Sequence, residues 1–138
     1  MTYALDTNAI IHYLNGRKTV TTKFLSVATS NTPIVIPFAI NYEVVRGFYH
    51  TSNSEKENIY NQLKIFCPII ALTPDMWDRA AQIWAKLRKM NRNIGDADLL
   101  IASQCIINEY TLVTENRKHF DPVVGLNIGL TIENWAEK

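Results

Sequence analysis

A chain of 138 residues with 47% hydrophobic content is long enough to bury a core without staples, so a single domain over residues 1–138 is expected. Fourteen Lys and Arg against thirteen Asp and Glu give a formal charge of +1. That excludes a polybasic protein but not a phosphate-bearing partner, because acids gathered at one site would leave the rest of the surface positive. No apolar run approaches the ~18 residues of a membrane helix and no signal peptide is visible, so a soluble, cytoplasmic protein is expected.

Tyr3 to Leu5 reads as a short buried strand that stops at Asp6, where a helix pattern of Ala9, Ile10, Tyr13 and Leu14 begins and runs to Asn15-Gly16. His12 lies in that helix, and an unpartnered histidine there is read as a packed or surface residue. Thr21 to Ser30 predicts a second helix, and Ile34-Val35-Ile36 an apolar strand of the kind found inside a parallel sheet. Pro37 ends it. Phe38 to Tyr49 then predicts a helix with Ile40, Val44 and Phe48 on one face and Glu43 at the edge of that stripe.

Ser54 followed by Glu57 is a capping box opening a helix to about Cys67, and Ile69 to Leu72 is a third strand. Thr73-Pro74-Asp75 starts a long helix whose apolar face is read as Trp77, Ala80, Ala81, Trp84 and Leu87, with both tryptophans as core anchors. Its last residues, Lys86, Arg88, Lys89 and Arg92, suit the helix dipole. Asp96 and Asp98 open a helix that is apolar nearly all round, with Asp96 as its cap. Thr111 to Thr114 is a fourth strand, Arg117 to Phe120 a short turn or helix, and Leu126 to Ile132 a last extended segment. Cys67 and Cys105 have no metal-type spacing and read as small buried hydrophobes. Strands alternate with helices throughout, which implies a parallel sheet of about four to five strands flanked by helices on both faces.

An Asp at the carboxyl end of a strand stands where open α/β sheets bind ligands, although as a lone residue it would more often be a helix cap. Its company changes the reading. If the first and fourth strands are neighbours at the sheet centre, Asp6 and the helix starting near Asp96 share one crevice, and Glu43 reaches it from the helix after the second strand. Asp98 opens an otherwise apolar helix, so its charge must be exposed, paired or bound to a cation. Several carboxylates in one crevice repel each other unless a cation offsets them, and Mg²⁺ or Mn²⁺ suits oxygen ligands, whereas zinc does not suit this residue set. Such a site with retained water fits phosphodiester hydrolysis.

Leu5-Asp6-Thr7-Asn8, Glu43, Gly95-Asp96-Ala97-Asp98-Leu99-Leu100-Ile101-Ala102, Leu112-Val113-Thr114-Glu115-Asn116 and the closing Glu133-Asn134-Trp135 resemble, in order and spacing, a PIN-domain ribonuclease of the VapC type, the toxin of a type II toxin-antitoxin system. The resemblance spans the whole chain. It implies a PIN-like fold, metal-dependent endonucleolytic cleavage of RNA with Mg²⁺ (Mn²⁺ substituting), a cognate antitoxin, a homodimer and, by analogy with close relatives, structured RNA such as tRNA as substrate. Carried over residue by residue, Asp6, Glu43 and Asp98 match the catalytic acids, with Asp6 and Asp98 on the metal. Asp96 is an accessory acid, Asn8 orients Asp6, and Thr114 lies nearby. Asn116 stands where many members have a fourth acid and would hold metal-bound water. Glu115 is read as pointing outward. Arg46, Arg88, Lys89, Arg92, Arg117 and Lys118 are candidates for the RNA backbone from charge alone. Two other readings stay open: a catalytically silent PIN fold serving as an RNA- or protein-binding scaffold, and a housekeeping RNA-processing nuclease without an antitoxin.

Overall fold

Five strands, β1 (Tyr3–Leu5), β2 (Ile34–Pro37), β3 (Ile69–Ile70), β4 (Thr111–Val113) and β5 (Thr131–Glu133), form one parallel sheet in the computed structural model, which describes residues 1–137. Their order is β3-β2-β1-β4-β5. The all-apolar runs account for it. Every residue of β1, β2 and β4 is buried, as strands covered on both faces must be, while the edge strands β3 and β5 are only partly buried. Register is set at the centre, where Tyr3 lies opposite both Ile34 and Thr111, and Leu5 opposite Val113. From β1 the chain builds outward to β2 and β3, then returns to the other side of β1 for β4. The crevice between the carboxyl ends of β1 and β4 is therefore the switch point of the sheet.

Seven helices complete the described residues: α1 (Thr7–Leu14), α2 (Lys18–Thr29), α3 (Phe38–Thr51), α4 (Ser54–Phe66), α5 (Pro74–Lys89), α6 (Asp96–Asn108) and α7 (Arg117–Val124). The expected central helix is α6, which buries Leu99, Ile101, Ala102 and Cys105 and lies along α5. The α3 stripe of Ile40, Val44 and Phe48 is buried as the pattern requires, and both cysteines are free and buried. Among the described residues, no helix is long and apolar enough to cross a membrane.

Several local expectations are corrected. The second helix starts at Lys18, a turn earlier than Thr21. The cap of α4 is Asn53, whose side chain accepts from the Lys56 N–H, so Ser54 is already helical. Asn caps as well as Ser does, and the earlier residue won. Likewise Gly95, not Asp96, is the N-cap of α6, leaving Asp96 in the first turn. The last strand is only Thr131–Glu133, because Asn127 (φ 54°) and Gly129 (φ 100°) adopt left-handed conformations that interrupt an extended run.

The largest correction concerns α5. Its buried face is Met76, Ala80, Ile83 and Leu87, while Trp77 and Trp84 are 55% and 45% exposed. Both faces have helical spacing, and the smaller side chains fit against α6. Leu87→Ala should therefore cost about 2–5 kcal/mol and Trp77→Ala under about 1 kcal/mol in denaturant unfolding; the reverse order would contradict this packing.

Candidate active site

The handover from β1 to α1 places the first acid. Asp6 is extended (φ −79°, ψ 165°), and its Oδ1 accepts the Thr7 N–H at 2.9 Å, capping α1. Capping is only part of its bonding. Oδ2 also accepts from the Thr114 hydroxyl at 2.7 Å and from Asn8 Nδ2 at 3.1 Å. Thr114, buried at the end of β4, accepts in turn from Asn8 Nδ2 and from the Asn116 N–H, both at 3.0 Å, and Asn8 Oδ1 accepts the Glu115 N–H at 3.0 Å. Asn8 thus ties the two central strand ends together. Two of roughly four acceptor positions on Asp6 are filled at Oδ2 and one at Oδ1, leaving a lone pair of Oδ1 open.

Asp98 sits in the first turn of α6, and Glu43, on α3, accepts from the Thr7 hydroxyl at 3.1 Å. With Asp6 they line one open cavity of about 530 Å³ at the switch point, together with Asn8, Arg46, Gly95 and Asn116. Burial pushes the Asp6 carboxyl above the ordinary aspartate value, against the pull of its donors from Thr114, Thr7 and Asn8 and of nearby His119. Burial also raises Asp98, and the charges of Asp6 and Glu43 raise it further, opposed by His119, whose Nδ1 is 3.7 Å from Asp98 Oδ2. Asp6 and Glu43 are thus close enough to disfavour the ionisation of Asp98.

The other sequence candidates divide. Asn8, Asn116 and Arg46 line the cavity, Thr114 is buried behind it and reaches it through Asp6 and Asn8, and Asp96 is exposed and does not line it. Arg88 and Arg92 line a separate, adjacent cavity, and Lys89, Arg117 and Lys118 are exposed outside both. Sequence reasoning missed four polar lining residues. Thr7 holds Glu43, and His119 faces Asp98 from α7. His12, set aside as unpartnered, lies 2.8 Å from Glu115, which is exposed as expected but braced there, with Arg17 3.8 Å from the same carboxylate. Thr7 had a signal, its place directly after Asp6; the His12–Glu115 pair spans 103 residues and had none.

Thr114→Val keeps the shape of the side chain but removes the hydroxyl that Asp6, Asn8 and Asn116 share. We expect it to cost about 1–3 kcal/mol in unfolding and to lower the RNA cleavage that the sequence resemblance implies about 10- to 100-fold, whereas Thr114→Ser should restore most of both. Wild-type activity in Thr114→Val, measured on the same RNA, would show that this network does not position Asp6.

The profile of the family described as PIN domain matches residues 3–125. The chain belongs to the PIN domain family. It is 30% identical to Ribonuclease VapC2 from Rickettsia felis, over 98% of this chain and 98% of that protein. It is 28% identical to Ribonuclease VapC1 from Haemophilus influenzae strain R2866, over 91% of this chain and 95% of that one. The crystal structure of VapBC2 from Rickettsia felis bound to a DNA fragment from their promoter superposes with a TM-score of 0.87 at 26% identity, covering 98% of this chain and 99% of that chain.

A divalent ion suits the donors of this PIN domain. Its cavity offers hard carboxylate oxygens with unfilled acceptor positions, and the site's own repulsion is relieved by a cation. Among the described residues, no group of three or more His, Cys, Asp or Glu side chains stands close enough together to hold a metal ion.

Proposed function

We propose that this PIN domain, a single domain over the whole chain, is a Mg²⁺-dependent endoribonuclease acting in the cytoplasm as the toxin of a toxin-antitoxin pair. The observation that supports it most is the convergence of Asp6, Glu43 and Asp98 on one open cavity at the sheet's switch point, two of them with raised proton affinity. Asp6 and Asp98 would hold the ion, which when bound supplies positive charge for phosphate oxygens and lowers the pKa of water. Asp6 is fixed for this by Thr7, Asn8 and Thr114, so its open Oδ1 position cannot swing away. Glu43, held through Oε2 by Thr7, keeps Oε1 free to take a proton from the attacking water. Asn116 offers a neutral polar group where a further acid would add repulsion. Arg46, on the same wall, is placed for a phosphate.

The toxin role rests on the relatives, which carry the names Ribonuclease VapC2 and VapC1, and on the VapBC2 complex, whose partner we take as the template for a cognate antitoxin. A homodimer is proposed on the same likeness. Structured RNA, tRNA in particular, is the substrate class we would try first. Purified protein incubated with total RNA in Mg²⁺ should produce discrete new 5′ ends that disappear with EDTA. Intact RNA in both Mg²⁺ and Mn²⁺, from folded protein free of antitoxin, would favour the silent scaffold instead.

A further inference from the structure

An acidic cavity repels the polyanion it is to cut, so RNA must be held by contacts outside the carboxylates. Beside that cavity α5 ends in a pocket of about 280 Å³ lined by Trp84, Leu87, Arg88, Arg92, Asn93 and Ile94. Ile94 lines this pocket and the next residue, Gly95, lines the carboxylate cavity, so the two share one segment of the chain at their edge. Trp84 keeps 45% of its surface exposed, and the Arg88 guanidinium lies over its ring, 4.9 Å from the centroid. Arg92 is lodged against the end of α7: its Nη1 is 3.3 Å from where a Cβ on Gly125 would be. Among the described residues neither guanidinium is ion-paired.

We propose that Trp84, Arg88 and Arg92 form a nucleotide subsite, holding one unstacked base and an adjacent phosphate of the RNA strand next to the cleavage cavity. This rests on the ribonuclease reading and adds a substrate feature to it: an unpaired nucleotide flanking the cut. The pocket lies just under the ~300 Å³ at which small-molecule sites begin, a size for one base rather than a whole cofactor. An aromatic ring backed by a guanidinium plane is a stacking surface for any base, and only a base out of its helix can use it. Arg92 supplies a fixed, permanent cation with planar donors that match phosphate oxygens. The dipole of α5 explains cations at this end, but not why one is laid on an exposed indole beside an acidic cleft.

The test uses a fluorescently labelled, unstructured RNA oligonucleotide bound in Mg²⁺ by full-length protein carrying Asp98→Asn to keep the RNA uncut. Adding Trp84→Ala or Arg88→Ala should weaken binding about tenfold, and Trp84→Phe should restore most of it. Arg92→Ala should reduce the slope of log affinity against log salt by about 0.7, the share of one phosphate contact on a single strand. In the otherwise wild-type enzyme Trp84→Ala should raise KM with kcat within about twofold. Unchanged affinity in Trp84→Ala and Arg88→Ala, while the wild-type enzyme still cuts RNA, would overturn the subsite and leave the ribonuclease reading intact. A wild-type protein that neither binds nor cuts RNA would overturn both. A change of solution mass in Trp84→Ala, seen by analytical ultracentrifugation, would assign the face to a protein contact and overturn the subsite.

Discussion

Asp98→Asn is expected to lower RNA cleavage at least about a hundredfold, equivalent to about 3 kcal/mol or more of lost transition-state stabilisation, with the effect in kcat rather than KM. Among the described residues, Asp98 makes no hydrogen bond that an amide would need to preserve; its ion-pair partner is His119 at 3.7 Å. The substitution therefore removes a charge from the cavity and little else. Asp6→Asn should be as damaging to cleavage for a second reason as well. Turned either way, the new amide sets its NH2 against a donor, the Thr7 N–H on one side or Asn8 Nδ2 and the Thr114 hydroxyl on the other. Glu43→Gln keeps the bond from Thr7 but cannot accept a proton, so its loss should ease at higher pH, where hydroxide replaces general-base assistance. Full activity in both Asp6→Asn and Asp98→Asn, in initial-rate assays on one defined RNA, would remove the site assignment.

Stability should separate the same two variants in the opposite sense from a simple loss of function. The folded Asp98 carboxyl titrates above its unfolded value because of burial and of Asp6. Its contribution to stability is therefore fully present below the unfolded pKa and is lost as pH rises through the folded pKa. At pH 7 without metal, Asp98→Asn relieves that penalty and should melt roughly 2–5 °C above wild type, the gap closing near about pH 4, where the aspartate is protonated. Asp6 is also raised by burial, but the amide keeps only one acceptor oxygen and sets its NH2 against either the Thr7 N–H or the Asn8 and Thr114 donors, a cost of about 1–3 kcal/mol that offsets the relief. Asp6→Asn should melt at or below wild type. Mg²⁺ should raise the wild-type melting temperature and leave both variants nearly unmoved. Thermal scans at pH 4 and 7, with and without Mg²⁺, decide this; an Asp98→Asn protein less stable than wild type at pH 7 without metal would contradict the electrostatic account.

The strands were legible in the sequence because a doubly covered strand can only be an apolar run, as Ile34-Val35-Ile36 is. The same reasoning put Asp6 at a strand end and the apolar α6 behind Asp98, so the crevice could be drawn before any contact was known. What misled was periodicity on α5, where two faces are apolar and only the tertiary contact with α6 chooses Ile83 over Trp84. Caps misled by one residue because Asn53 and Gly95 serve as well as their neighbours. The brace of Glu115 by His12, and the approach of His119 to Asp98, join residues from elements far apart in sequence, and no local pattern encodes such pairs.

Asp6 and Asp98 are proposed to hold a divalent ion. Crystals of the protein soaked in Mn²⁺ and measured at the manganese absorption edge would locate it directly. A single strong anomalous peak within coordination distance of Asp6 Oδ1 and an Asp98 carboxylate oxygen, absent from Asp98→Asn crystals, is the predicted result. Manganese bound elsewhere, or a peak that persists unchanged in Asp98→Asn, would contradict the account.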